Sequence, residues 1–229
     1  NMTRILLIRH AHSVANDRGI LAGRSAGVVL TDHGKKQAIE LAKRLHGISV
    51  ASIHISPIER CHLTMAPFLE ATAKAKRPKV LITDDLSEVD YGKWTGRKLS
   101  SLYRHKLWKT VQNRPSAMYF PDGEGLANVQ VRAMRALHKA ATTPGNQILV
   151  SHGDVIKSIV AAVLGTHLDN VQKIVIDPAS VTVLDFDGTD FRVITLNATT
   201  AAIIDLVPAK KKSIGKALLG GGSGSSRSK

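Results

Sequence analysis

Short apolar runs alternate along the chain with longer stretches that mix apolar and polar residues. The runs have the length and composition of strands buried in a sheet. They predict six strands, at residues 4–8, 51–56, 79–83, 147–151, 181–186 and 191–196. Only the four residues Asp-Gly-Thr-Asp separate the last two runs, which predicts an antiparallel hairpin at one edge of the sheet.

Apolar residues at helical spacing lie between these strands. One set follows Thr31 and ends before Gly47, and another lies between Asp154 and Gly165. Alternating strands and helices are typical of an α/β fold. We therefore predict a three-layer sandwich over residues 2–207, with a mainly parallel central sheet and an antiparallel edge strand.

Residues 92–121 break this alternation and predict a small helical cap inserted over the sheet. Trp94 and Trp108 lie in this segment and are interpreted as residues that pack it. The segment has no acidic residue and seven cationic ones, namely Lys93, Arg97, Lys98, Arg104, Lys106, Lys109 and Arg114. Residues 208–229 are basic and rich in Gly and Ser, a composition typical of a C-terminal tail outside the folded domain.

The net charge of +14 is shared between the tail and the rest of the chain. Six of the positive charges lie in the tail, which leaves +8 for the remainder. A basic body favours a small anionic substrate or a polyanion, and charge alone does not choose between them.

The single cysteine excludes an internal disulfide, and no apolar run approaches the roughly 18 residues of a membrane span. We therefore expect a cytoplasmic protein without membrane association.

Polar side chains follow four of the predicted strands, where ligands of parallel α/β sheets bind. They are Arg9 and His10 after the first strand, Arg60 after the second, Glu88 after the third and His152 after the fourth. An imidazole can form a covalent phospho-intermediate, and guanidinium groups bind phosphoryl oxygens in pairs. A protonated carboxyl can donate a proton to a leaving alcohol. This set of groups favours phosphoryl transfer through histidine, which requires no metal and no cofactor.

Six motifs occur in a fixed order, and together they resemble those of the histidine phosphatase superfamily, branch 1. The family pattern Arg-His-Gly-x-Thr/Ser-x-x-Asn is matched by residues 9–16, with Ala11 in place of glycine. The other matches are LTDHGKKQA (30–38), SPIERCHLT (56–64), EVDYGKWTG (88–96), PDGEGLANVQVR (121–132) and VSHGDVIKS (150–158). The resemblance covers roughly residues 4–165 and implies a phosphoglycerate mutase-like fold.

The resemblance also implies a role for each matched residue. His10 would be the phosphorylated nucleophile, and Glu88 the general acid that later activates water. The implied phosphate-binding residues are Arg9, Asn16, Arg60 and His152. If position 11 requires φ > 0, Ala11 adds about 1 kcal/mol of strain; otherwise its methyl group narrows the space beside the phosphate. We expect an active enzyme in either case.

Phosphatases and cofactor-dependent phosphoglycerate mutases of this family use the same pocket. The mutases usually carry a longer insertion between the positions of Glu88 and His152, which here are 64 residues apart. The short interval favours a phosphatase, with a phosphoglycerate mutase or related phosphomutase as the alternative. The basic cap favours a small phosphate ester with further negative charge.

Two more distant alternatives come from other function classes. A metal-dependent phosphoesterase would use His10, His12, His152 and Asp154 as ligands, but further carboxylate ligands are not evident. A basic nucleic-acid-binding protein would leave the ordered motifs unexplained, so we do not expect nucleic acid as a partner. The sequence leaves the oligomeric state open, with a homodimer as one option.

Overall fold

The computed structural model describes residues 3–207, so the predicted tail lies outside the described residues. One six-stranded sheet forms the centre, with strand order β3-β2-β4-β1-β5-β6. The strands are β1 (Thr3–Arg9), β2 (Val50–Ile55), β3 (Lys79–Ile82), β4 (Gly145–Ser151), β5 (Val181–Phe186) and β6 (Phe191–Ala198). All six predicted strands are thus confirmed, with ends that differ by at most two residues.

The sheet is parallel from β3 to β1 and antiparallel beyond it. β1 pairs in parallel with β4, β4 with β2, and β2 with β3. β5 runs antiparallel to β1, and β6 pairs antiparallel with β5. The predicted hairpin at one edge is therefore confirmed.

Helices and short 3-10 turns connect these strands. The helices are α1 (Val14–Asp17), α2 (Asp32–Arg44), α3 (Glu59–Ala71), α4 (Leu99–Leu102), α5 (Trp108–Asn113), α6 (Leu126–Ala141), α7 (Gly153–Val163) and α8 (Ile203–Leu206). The 3-10 turns are Lys74–Lys76, Asp84–Leu86, Gly92–Trp94, Pro115–Ala117 and Leu168–Lys173. As predicted, Thr31 marks the start of α2: it is the N-cap residue, and its side chain accepts a hydrogen bond from Gly34 N.

Two apolar clusters, one on each face of the sheet, form the core. Successive side chains of a strand point to opposite faces, so Leu6 and Ile8 of β1 join one cluster while Ile5 and Leu7 join the other. α2, α3 and α8 contribute to the first cluster, and α6 and α7 to the second. These layers confirm the predicted three-layer α/β sandwich.

Residues 92–121 form short helices and turns beside the carboxyl ends of the strands. Trp94 is only 2% exposed, and its ring stacks on Trp108 with centroids 6.3 Å apart. All seven cationic residues of this segment are exposed. Among the described helices, none is long and apolar enough to cross a lipid bilayer.

Candidate active site

Two histidines leave neighbouring strands side by side. β1 and β4 pair with Arg9 opposite Ser151, so the next residue of each strand, His10 and His152, lies at the same edge. Their ring centroids are 5.3 Å apart, and both rings are buried. The connections after β1 and β4 leave on opposite faces of the sheet, an arrangement that creates a ligand-binding crevice in α/β folds.

His10 is held with one ring nitrogen bonded and the other available. Its Nδ1–H donates to the carbonyl of Ala11 at 2.8 Å, a tautomer that we assign from this hydrogen bond. Burial lowers the pKa of His10 well below its usual value, and the positive charges of Arg60 and Arg9 lower it further. The imidazole is therefore neutral near pH 7, and Nε2 keeps the lone pair that a nucleophile needs.

Ala11 occupies an ordinary backbone conformation, because its φ is not positive. Its methyl group packs in a small buried cluster with Leu30, Ala38 and Ala179 and does not line the cavity beside His10. Neither sequence-based expectation for Ala11 is met: the residue is not strained, and it does not narrow the phosphate site. Its backbone N–H donates to Thr64 Oγ1 at 2.8 Å, which ties the loop after β1 to α3.

Two guanidinium groups lie beside His10, and each has one buried nitrogen without a partner. Arg60, in the first turn of α3, donates from Nη2 to the carbonyl of Gly23 at 2.9 Å, but its Nη1 bonds to no atom of residues 3–207. Arg9 donates from Nη1 to the carbonyl of Ile176 at 2.7 Å, while its buried Nε has no partner in the described chain. Buried polar atoms in folded proteins are rarely unsatisfied, so both groups point to an anionic ligand.

His152 lies behind Arg60 instead of on the cavity wall. Its Nδ1 accepts from Arg60 Nη2 at 3.1 Å, and its Nε2–H donates to Ser56 Oγ at 2.8 Å. Burial lowers the pKa of His152 well below its usual value, and the charge of Arg60 lowers it further, so the ring is neutral. Both ring nitrogens thus have partners among the described residues, and one of these partners is Arg60; direct contact of His152 with phosphate stays a prediction from the sequence.

Glu88 faces the same cavity from the loop after β3. Its Oε1 accepts from the backbone N–H of Val89 at 2.9 Å, and its Oε2 lies 3.5 Å from Arg60 Nη2. Burial raises the pKa of Glu88 to about 7; the charge of Arg60 opposes this shift and that of Asp154 supports it. A carboxyl that is partly protonated near pH 7 can both donate and accept a proton.

An arginine and a glutamate that sequence analysis did not single out hold the Glu88 loop. Arg132 donates to the carbonyls of Asp85 (2.8 Å), Ser87 (2.7 Å) and Glu88 (3.2 Å). It also pairs with Glu124 at 2.7 Å. Glu124 and Arg132 both lie in the quoted motif at 121–132, but nothing in their spacing shows that they brace another loop.

The site opens into a cavity of about 390 Å³. Asn16 lines its rim, where the carboxamide oxygen accepts from Ser13 N and Oγ, leaving the Nδ2 group as its donor. Tyr91 also lines the cavity and donates its hydroxyl to Asp154 at 2.6 Å. Lys157 also lines the cavity, within 3.5 Å of Gln172 Oε1.

The seven cationic residues of the segment at 92–121 do not line this cavity. Lys93, for example, pairs with the exposed Asp122 at 2.9 Å. The side chains that this segment turns toward the site are apolar, because its short helices pack their apolar faces inward. The positions of these cations therefore do not support a second negative charge on the substrate, which stays a prediction from the sequence.

The set of metal ligands considered from the sequence does not converge. His12 Nδ1 lies 2.9 Å from Thr31 Oγ1, and its ring contacts His33 instead of the cavity. Within residues 3–207, no group of three or more His, Cys, Asp or Glu side chains is arranged to hold a metal ion. Cys61 is fully buried, which raises the pKa of its thiol to about 12.

Comparisons with known proteins identify similar sequences and structures. The sequence model of the histidine phosphatase superfamily (branch 1) matches residues 5–199. Phosphoserine phosphatase 1 of Hydrogenobacter thermophilus is 30% identical over 206 residues, which cover 86% of this chain and 93% of that protein. The 2,3-bisphosphoglycerate-dependent phosphoglycerate mutase of Thermoplasma acidophilum is 28% identical, over 84% of this chain and 91% of that protein. The structure of Bacillus stearothermophilus YhfR is similar with a TM-score of 0.79 and 25% identity, over 86% of this chain and 97% of that one.

Proposed function

The chain belongs to the histidine phosphatase superfamily (branch 1) and is a phosphatase, and from this premise we propose that it hydrolyses phosphate monoesters through a phosphohistidine on His10. The observation that carries this proposal is the pair of unpartnered, buried guanidinium nitrogens of Arg9 and Arg60 beside a neutral imidazole. A phosphoryl group between them would accept both hydrogen bonds while it faces Nε2 of His10.

The first chemical step transfers the phosphoryl group to the enzyme. Nε2 of His10 forms a bond to phosphorus as the ester P–O bond breaks, and the leaving alcohol oxygen takes the proton of Glu88. Arg9 and Arg60 stabilise the charge on the phosphoryl oxygens, and Asn16 adds a donor at the rim. His152 acts through Arg60, because it accepts one of the Nη2 hydrogen bonds and so fixes the direction of the guanidinium.

The second step returns the enzyme to its starting state. The carboxylate of Glu88 accepts a proton from water, and the water oxygen attacks phosphorus as the N–P bond to His10 breaks. Phosphate and a neutral imidazole are released. The two steps need no metal ion and no cofactor, so activity should survive EDTA.

Trapping of the phosphoenzyme tests the proposal. Protein mixed with ³²P-labelled 4-nitrophenyl phosphate and quenched within milliseconds should carry label that acid removes and alkali does not, as expected for a phosphoramidate. His10→Ala should carry no label, and His46→Ala, which changes an exposed histidine far from the cavity, should be labelled like wild type. Label that is stable in acid, or label that persists in His10→Ala, would contradict the proposal.

Phosphoglycerate mutase activity is the second candidate, because curated relatives include mutases. The same phosphohistidine would then return its phosphoryl group to a phosphoglycerate instead of to water. We expect hydrolysis to prevail, since Glu88 and His152 are only 64 residues apart, whereas the mutases that the sequence resembles usually carry a longer insertion there. Isomerisation of 3-phosphoglycerate that depends on 2,3-bisphosphoglycerate and exceeds hydrolysis in rate would favour the mutase.

A further inference from the structure

A second, apolar pocket of about 160 Å³ lies next to the phosphate cavity. The two spaces share five lining residues, namely Leu21, Tyr91, Leu99, Asp154 and Gln172. The apolar pocket is therefore adjacent to the cavity in which a phosphate at His10 would lie. We call this space the cap pocket, because Trp94, Leu99, Trp108 and Val111 of residues 92–121 form much of its wall.

The chemistry of the cap pocket differs from that of the phosphate site. Its wall combines aromatic rings with aliphatic side chains, among them Leu126 and Leu168. None of the described residues that line it is a lysine or arginine, and its charged member is the carboxylate of Asp154. A second anionic group would lose hydration there and meet a like charge, whereas a neutral apolar group would gain burial.

The size of the cap pocket limits what it can hold. An apolar cavity of about 150 Å³ is known to accept one benzene ring. One aromatic ring, or an aliphatic group of similar size, therefore matches this space.

We propose that the cap pocket is a binding site for the alcohol part of the substrate and selects monoesters with a neutral, apolar group of about one aromatic ring. This inference rests on the proposed function, since the phosphate of the ester is taken to bind at His10, Arg9 and Arg60. The expectation of a second negative charge rested on the cations of residues 92–121, which are exposed and do not line the phosphate cavity.

Hydrolysis of matched primary alkyl phosphates tests the inference without changing the leaving-group chemistry. For 2-phenylethyl phosphate, kcat/KM should exceed the values for ethyl phosphate and phosphoserine by about tenfold or more. Val111→Phe fills the pocket and should lower the ratio of phenylethyl to ethyl phosphate by about tenfold. Val131→Phe makes the same change at a position 65% exposed on α6 and should leave the ratio as in wild type.

Trp108→Ala tests the same pocket in the opposite direction, since it adds space instead of removing it. We expect kcat/KM to rise for 2-naphthylethyl phosphate relative to 2-phenylethyl phosphate. If the enzyme hydrolyses ethyl phosphate and His10 is labelled, but kcat/KM is nearly equal for phenylethyl and ethyl phosphate, the cap pocket is rejected as a substrate site and the proposed function stands. Absence of hydrolysis of every ester and of any label would reject the proposed function, and this inference with it.

Discussion

Replacement of Glu88 by glutamine removes the proton donor of the proposed mechanism with little change in size. Burial raises the pKa of this carboxyl to about 7, so about half of the molecules carry the proton at pH 7. In the wild type, kcat/KM for an alkyl phosphate should therefore fall about tenfold per pH unit above pH 7. Glu88→Gln should abolish this dependence, because no other group on the proposed proton path titrates there.

The size of the loss should depend on the leaving group. A general acid contributes about 10²–10⁴ in rate, and an alkyl alcohol needs its full contribution because an alkoxide is a poor leaving group. 4-Nitrophenolate leaves without a proton, so kcat/KM for 4-nitrophenyl phosphate should fall less than about tenfold. A rise in the pKa of Glu88 from its usual 4.5 to about 7 corresponds to roughly 3 kcal/mol in favour of the protonated form, mostly from burial.

Rapid-mixing kinetics separate the two roles of Glu88. Glu88→Gln should release a burst of nitrophenol equal to the enzyme concentration and then turn over slowly, because the carboxylate that activates water is missing. Glu70→Gln, an exposed glutamate on α3, serves as the matched control and should behave as wild type. Equal losses for alkyl and nitrophenyl esters, or a pH dependence that persists in Glu88→Gln, would refute the assignment of Glu88 as the acid.

Three further predictions concern stability and positioning. Below pH 6.5, unfolded protein binds protons at His10 and His152 that folded protein does not bind, and between about pH 7 and 4.5 folded protein binds a proton at Glu88 that unfolded protein lacks. The two histidines outweigh the one carboxyl, so the free energy of unfolding in urea should fall by about 1 kcal/mol per pH unit between pH 6 and 5, and a flat profile would contradict this. Arg132→Lys should lower the free energy of unfolding in urea by about 2 kcal/mol, because the carbonyl groups of the Glu88 loop lose their contacts with the guanidinium. It should also shift the pH dependence of kcat/KM, and an unchanged pH profile would limit the role of Arg132 to stability. Ala11→Gly should lower the free energy of unfolding by about 1–2 kcal/mol, because a buried methyl group is lost and glycine is more flexible in the unfolded chain. It should change kcat/KM less than about threefold, and a gain in activity would contradict the buried position of the methyl group.

Much of the fold could be predicted from the sequence because its signals are local. β1 and β4 are buried on both faces, so they form continuous apolar runs that stand out from the helices around them. His10 and His152 each follow such a run by one residue, and pairing of parallel strands in register then brings them together. Strand ends therefore predicted which side chains meet, including Arg60 and Glu88.

The contacts of single atoms could not be predicted in this way. Whether His152 faces phosphate or supports Arg60 depends on which ring nitrogen finds Ser56, a contact between residues 96 positions apart. The pairing of Arg132 with the carbonyl groups of the Glu88 loop likewise joins segments about 45 residues apart that no sequence pattern links. Such contacts follow from the packing of the layers, which a one-dimensional pattern does not contain.

The segment at 92–121 shows how a count of charges can mislead about a binding site. Its helices, Leu99–Leu102 and Trp108–Asn113, are too short to display the helical repeat from which an inner and an outer face are inferred. The sequence therefore shows seven cations near a phosphate site without showing that they face solvent. Packing turns the aromatic and aliphatic side chains inward, because burial of apolar area is favourable and burial of unpaired ammonium groups is costly. The same physical rule that builds the core thus makes the inner face of a basic segment apolar, and substrate selection depends on that inner face.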